Sequence, residues 1–239
     1  MEILKYCSRH KSLSLKFSTL KRKIVFSFSG GKDSCLSIYK AINNDYEIFS
    51  LITTITEGYN RVSIHGVRKE LVLRQAKSLE IPIDLIYIPD SCTNEKYEMI
   101  MYERMKFYKE LGIEYIGFGD IFLEDVRTYR ENNLSKLNMK GYFPLWKLET
   151  KELIEEFLRL NFKAVIVCVD LNFLDISFLG REIDKNLIQE IENKIDICGE
   201  NGEFHTFVYY GPIFKNPIKF EKGDIVIRGN YGYLDLYPV

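Results

Sequence analysis

Several common devices are missing from this sequence, and each absence narrows the reading. The five cysteines, Cys7, Cys35, Cys92, Cys168 and Cys198, form no C-x-x-C pair and no Cys/His grouping at zinc spacing. That argues against a disulfide framework or structural zinc and for a reducing compartment. No apolar run approaches the roughly 18 residues needed to span a bilayer, and the opening lacks the apolar stretch of a secretory signal. A soluble, cytoplasmic protein with no membrane partner is therefore expected. The net charge is -1 with 28% charged residues, so no global basic field exists and direct nucleic-acid binding is not expected. Internal repeats and low-complexity tracts are also absent. At 239 residues the chain can bury a full core without staples.

Charge is nevertheless uneven. Residues 1–23 carry Lys5, Arg9, Lys11, Lys16, Lys21, Arg22 and Lys23 against Glu2 alone. We read this as a basic N-terminal extension or edge strand ahead of the fold, with an organelle presequence as the alternative.

From Ile24 onward, hydrophobic periodicity alternates between two kinds. Ile24–Phe28, Ile48–Thr54, Ile83–Ile88, Tyr115–Phe118 and Ala164–Val169 read as strands. Between them, the stretch from Cys35 to Ile42, then Val67–Leu79, Asn94–Leu111 and Lys151–Leu160 read as helices, with an irregular stretch before the last. The stripe Tyr97, Met101, Met105, Tyr108 is a core-facing stripe rather than a cofactor box. Alternating strands and helices imply an α/β fold with a parallel, doubly covered sheet. From about Gly180 the chain changes to glycine- and proline-punctuated aromatic runs, expected as hairpins and loops.

The first strand leads into Ser29-Gly30-Gly31-Lys32-Asp33-Ser34 and then a helix. In an open parallel sheet this loop faces the ligand crevice. Two glycines let the backbone turn sharply and bring its amides close to phosphate oxygens, and the helix start adds a positive dipole end. Lys32 supplies a charge, and Ser29 and Ser34 supply hydroxyls. Asp33 would repel phosphate, so it is expected to hold Mg²⁺ or to cap the helix. The spacing matches neither G-x-x-x-x-G-K-[ST] nor G-x-G-x-x-G.

Two further segments concentrate functional groups. Glu200, Asn201, Glu203, His205 and Thr206 crowd a tail segment that carries two glycines, Gly199 and Gly202, and Asp120, Glu124, Arg127 and Arg130 follow the fourth strand at the ligand end.

The first loop resembles the PP-loop, S-G-G-x-D-S, of the N-type ATP pyrophosphatases. Together with Gly119-Asp120-Ile121-Phe122-Leu123-Glu124-Asp125, Phe143-Pro144-Leu145-Trp146 and Gly199-Glu200-Asn201-Gly202-Glu203-Phe204-His205-Thr206, it resembles the diphthine–ammonia ligase family. The resemblance implies a Rossmann-like nucleotide domain of the HUP type over 24–135, followed by a smaller α+β substrate-binding subdomain over 136–239. It implies that ATP adenylates a carboxylate and that ammonia then displaces AMP to give an amide. The acceptor would be a modified histidine on elongation factor two, as in diphthamide synthesis, or another carboxylate, as in cobalamin salvage. Under this reading Ser29, Gly30, Gly31, Lys32, Asp33 and Ser34 hold ATP, and Asp33 and Asp120 hold Mg²⁺. Lys32, Glu203 and His205 are the catalytic candidates. Asp120, Glu124, Arg127, Arg130, Glu200, Asn201, Glu203, His205 and Thr206 are the substrate candidates. Free ammonia is the expected nitrogen source, and homo-oligomer formation is left open. The rival readings are a tRNA-modifying PP-loop enzyme and a non-catalytic adenine-nucleotide sensor.

Overall fold

The computed structural model describes residues 21–239, so the basic extension lies for the most part outside the described residues. Its last residues, Arg22 and Lys23, already belong to strand β1 (Arg22–Ser27). Along β1 the side chains alternate between two cores: Ile24 and Phe26 enter one, and Val25 the other. A strand apolar on both faces belongs at the centre of a covered sheet.

Around β1 the chain adds helix α1 (Lys32–Asn43), β2 (Tyr46–Thr56), β3 (Arg61–Val62), α2 (Lys69–Leu79), β4 (Ile83–Ile88), α3 (Asn94–Glu110), β5 (Tyr115–Gly117), α4 (Glu124–Ser135) and β6 (Lys140–Tyr142). The parallel strands run β4-β2-β1-β5-β6. This is the Rossmann-like order, in which the chain reverses direction next to β1 and leaves a crevice at the carboxyl ends. The short β3 pairs antiparallel with Ile55 and Thr56, the overhang of β2 beyond β1. Its return loop is thereby brought to the mouth of that crevice.

α5 (Thr150–Arg159), β7 (Lys163–Asp170), α6 (Lys185–Ile191), β8 (Phe204–Tyr210), β9 (Phe220–Arg228) and β10 (Tyr231–Pro238) follow. Here one expectation fails. β7, a buried apolar run that reads like one more parallel strand, instead pairs antiparallel with β8 and β10 in a separate sheet ordered β8-β7-β10-β9. Its composition fits any doubly covered strand, so composition does not specify the partner. A second difference is β6, which completes the first sheet beyond residue 135, the expected end of the first unit. The stretch expected to be irregular contains α4. Leu134 is the one buried residue of that helix, so the sequence carries little helical periodicity there.

One apolar cluster runs from Phe26 and Phe28 of the first sheet through Phe157 and Phe162 to Phe204, Phe207 and Leu234 of the second. The opposite face of the first sheet is covered by Met105, Tyr108 and Leu134 of α3 and α4. Tyr97 and Met101 are partly buried against it and also border the cavity at the carboxyl end of the sheet, so the stripe is not wholly the core stripe expected. No helix among the described residues is long and apolar enough to cross a membrane.

Candidate active site

The loop between β1 and α1 is shaped by what a side chain would strike. Gly30 has φ +80, and a Cβ there would lie 2.4 Å from Gln75 Oε1. Gln75, fully buried, donates from Nε2 to the carbonyls of Gly30 (2.9 Å) and Val208 (2.6 Å). The Val208 amide in turn donates to Gly30 at 2.9 Å. The turn is thus pinned by α2 and β8 together. At Gly31 a Cβ would come within 3.1 Å of both His65 Cε1 and the Thr206 carbonyl. Gly119 brings the β5 loop against the first turn of α1, where a Cβ would lie 3.0 Å from the Asp33 backbone.

Hydroxyls and amides converge on the same space. Ser34 Oγ donates to the Gly31 carbonyl at 2.9 Å, the Gly31 amide donates to Ser29 Oγ at 3.3 Å, and the Lys32 amide donates to Thr206 Oγ1 at 3.0 Å. Amides in the first turn of a helix have no intrahelical acceptor and carry the positive end of the dipole. A cavity of about 330 Å³ opens there. Ser29, Gly31, Lys32, Asp33 and Ser34 line one side, Thr53, Ser63 and His65 another, and Asp120, Arg130, Glu200, His205 and Thr206 are among the residues that close it.

The lysine lines the cavity as expected, with its ammonium held by protein partners. Lys32 is only 4% exposed, and its Nζ donates to the Cys198 carbonyl and contacts Asp33 Oδ2 at 2.7 Å, above the Phe204 ring. Burial alone would lower its pKa, but Asp33 and Cys198 outweigh that and keep the ammonium charged. The charge ties the tail loop to the PP-loop instead of standing free for phosphate.

The tail loop divides into two sets. Glu200, His205 and Thr206 face the cavity. Glu203 does not: it is 3% exposed and its Oε1 accepts from the Asp196 amide (3.2 Å) and Asn201 Nδ2 (3.0 Å), so it holds the loop's shape. Asn201 serves the same internal bond. The expected catalytic position of Glu203 and substrate position of Asn201 are therefore corrected. Glu200 Oε1 accepts from the Ile121 amide at 2.7 Å. Burial pushes its carboxyl up to about 7, with the Ile121 bond opposing and the nearby Asp33 charge reinforcing the shift. Burial, with Lys32 nearby, holds the His205 pKa down at about 4. Its ring lies 4.5 Å from that of His65, whose pKa burial also lowers. Both imidazoles are neutral at pH 7.

Of the segment after β5, Asp120 and Arg130 line the cavity, joined by Nη2 to Oδ1 at 3.1 Å and an Nε to Oδ2 contact of 2.7 Å. The second contact lacks hydrogen-bond alignment. Glu124 and Arg127 point elsewhere, contrary to expectation. Exposed Glu124 pairs with Lys147 at 2.8 Å, and Arg127 pairs with Glu131 and stacks over Phe143 and Trp146. His65, Thr53 and Ser63 were not among the expected site residues. Only the scarcity of histidine, three in the chain, could have singled out His65.

The cradle fits a nucleotide's phosphates. The same residues do not make a protein-only magnesium cage: no group of three metal-ligating side chains occurs among the described residues. Asp120 meets Arg130 through both carboxylate oxygens, whereas Asp33 meets Lys32 through Oδ2, so of the two expected metal ligands Asp33 fits better. Asp33, facing the cavity, suits an ion that shares the nucleotide's phosphates, the usual habit of Mg²⁺.

The diphthamide synthase N-terminal domain family matches residues 22–141, and the diphthamide synthase C-terminal domain family matches 149–238. Over 229 residues the chain is 26% identical to the human diphthine–ammonia ligase, covering 86% of this chain and 85% of that protein. The corresponding protein of Bos taurus is 25% identical over 227 residues, with 85% of each covered. That of Schizosaccharomyces pombe is 23% identical over 226 residues, covering 85% of this chain but 37% of its own length. Among solved structures, the U34-tRNA thiolase NcsA from Methanococcus maripaludis is similar at a TM-score of 0.36 and 17% identity, over 59% of this chain and 58% of that one. A score that low carries no argument.

Proposed function

The chain belongs to the diphthamide synthase family, and from that premise we propose that it is an ATP-dependent ligase joining ammonia to a carboxylate through an acyl adenylate. The observation that carries this reading is the PP-loop cradle built jointly by the β1–α1 turn and the Thr206 segment of the tail. It joins a phosphate site to a second set of acid and imidazole groups in one cavity.

An acceptor carboxylate oxygen attacks the α-phosphorus of ATP and pyrophosphate leaves. Ammonia then attacks the acyl carbon and AMP leaves. The first step turns a poor acylating agent into a mixed anhydride with a good leaving group. The backbone amides of the Gly31 turn and first helical turn, with Ser29 and Ser34, bind the phosphates. Asp33 would hold a Mg²⁺ ion shared with the phosphates, and that ion would supply neutralising charge for the departing pyrophosphate. Arg130, oriented by Asp120, is the cation best situated to meet a carboxylate or phosphate. Glu200 receives the proton that nitrogen loses, because a carboxyl with a pKa of about 7 is matched to that work at neutral pH. His205 and His65 stay neutral and donate or accept hydrogen bonds without adding charge beside the acyl group.

The acceptor we propose is the diphthine side chain of elongation factor two. Incubation of the protein with ATP, Mg²⁺, ammonium and diphthine-bearing elongation factor two should give AMP, pyrophosphate and the amide in equal amounts. ADP with orthophosphate would refute it, and ATP binding with no turnover would favour a nucleotide sensor.

A further inference from the structure

A second cavity, of about 250 Å³, has no part in the chemistry described so far. It opens between the β2–β3 turn and the β3–α2 loop, which supply Tyr59 and Ile64, and the β9–β10 hairpin, which supplies Val226, Arg228 and Tyr233. Ile64 also lines the phosphate cavity, so the two spaces meet at its side chain. At φ +69 this β-branched residue sits in the left-handed region, and its side chain is 72% exposed. Strain of this kind persists only where the surroundings impose it. Here it turns an apolar side chain to solvent at the seam between two cavities.

The charges in the second cavity are unequal. Arg61 and Arg68 both pair with Asp235, at 2.8 and 2.7 Å. Arg228 has no ion-pair partner among the described residues and lies 4.6 Å over the Tyr59 ring. A stacked guanidinium keeps its donors directed outward, toward an anionic oxygen. Arg228 also ends β9, the outermost strand of the second sheet. Ile225, Val226 and Ile227, successive residues of β9, are all exposed. Among the described residues nothing pairs with the outer edge of that strand, so its backbone groups are a template for an added strand.

These features are continuous: an open strand edge leads to an unpaired arginine stacked on tyrosine, then past Ile64 to the phosphate site. We propose that this track is the acceptor-docking surface, and that its occupant is an extended segment of a protein acceptor. The segment adds to the β9 edge. Arg228 draws in the acceptor carboxylate, and the acceptor side chain lies against Tyr59 and Tyr233 and crosses Ile64 into the phosphate cavity. The inference rests on the ligase reading given above.

The test uses the full chain with diphthine-bearing elongation factor two. Arg228→Ala and Val226→Glu should each raise the acceptor KM about tenfold or more while the KM for ATP stays within about twofold of wild type. Retained ATP binding reports that the variants are folded. In wild-type protein, the amides over 223–228 that face away from β10 should exchange freely when the chain is alone and become protected when the acceptor is added. An unchanged acceptor KM in both variants would overturn the proposal. So would protection of those outward-facing amides before the acceptor is added, which would assign the edge to a second copy or to residues 1–20. Failure of the wild-type protein to amidate this acceptor at all would instead count against the ligase reading.

Discussion

Glu200 shows how much one side chain's surroundings decide. Its folded-state pKa of about 7 stands above the ordinary 4.5, so the folded chain holds an extra proton between those values, and the stability it confers is lost as pH rises through that window. Glu200→Gln should therefore be more stable than wild type above about pH 7, by on the order of 1 kcal/mol once partial exposure is allowed for, and denaturant melts on either side of the window would measure it. At fixed free ammonia, wild-type amide formation should rise with a midpoint near pH 7. In Glu200→Gln the rise should vanish with a loss of about 10²-fold or more. Gly30 is constrained by space instead: Gly30→Ala drives a Cβ toward Gln75 at φ +80, so it should cost about 1–3 kcal/mol and weaken ATP binding, read by calorimetry. The glycine's role was legible because the doubled glycine is itself the signal. The division of labour between Glu200 and Glu203 was not. Both acids sit in one short loop, and only the Asp196 and Asn201 bonds turn Glu203 inward.

Among the elements, the joint between β10 and the β3–α2 loop has the clearest consequence. Asp235 accepts from Arg61 at 2.8 Å and from both Nε and Nη2 of Arg68, at 2.9 and 2.7 Å. Burial opposes ionisation, but these bonds prevail and hold the carboxyl down at about 2. A depressed value means that the contribution is present above the ordinary 3.8 and is lost as pH falls toward 2. Asp235→Asn should cost about 1–3 kcal/mol at neutral pH, because two partly buried guanidinium groups lose their shared partner. The difference from wild type should shrink in melts taken near pH 2. The strands β1 and β4 and the helix α3 were legible from period and composition to within a few residues. β7 was legible as a strand but not in its partner, since a run buried on both faces fits either sheet. Helix α4 was hidden because one buried residue leaves no stripe to read.

For the whole molecule, the two sheets share one apolar cluster, and the Gly30 turn is pinned from both sides. The halves are therefore expected to unfold together, as one calorimetric transition with van't Hoff and calorimetric enthalpies in agreement. Two separate transitions would count against this. A fragment ending near residue 148 should lose ATP binding, because the Thr206 hydroxyl, the Val208 amide and the Cys198 carbonyl that brace the PP-loop all come from the second half.

Local sequence alone determined that strands and helices alternate, where the doubled-glycine turn falls, and that the tail loop is rich in acid and imidazole. Each of these is written in consecutive residues through hydrophobic period, glycine placement or composition. Only the tertiary structure decided which acid faces the cavity, that Lys32 braces a loop instead of standing free, that His65 meets His205, and that β7 leaves the parallel sheet. Those outcomes depend on contacts between residues far apart in the chain, 174 positions for Lys32 and Thr206, and no local pattern encodes a partner at that distance.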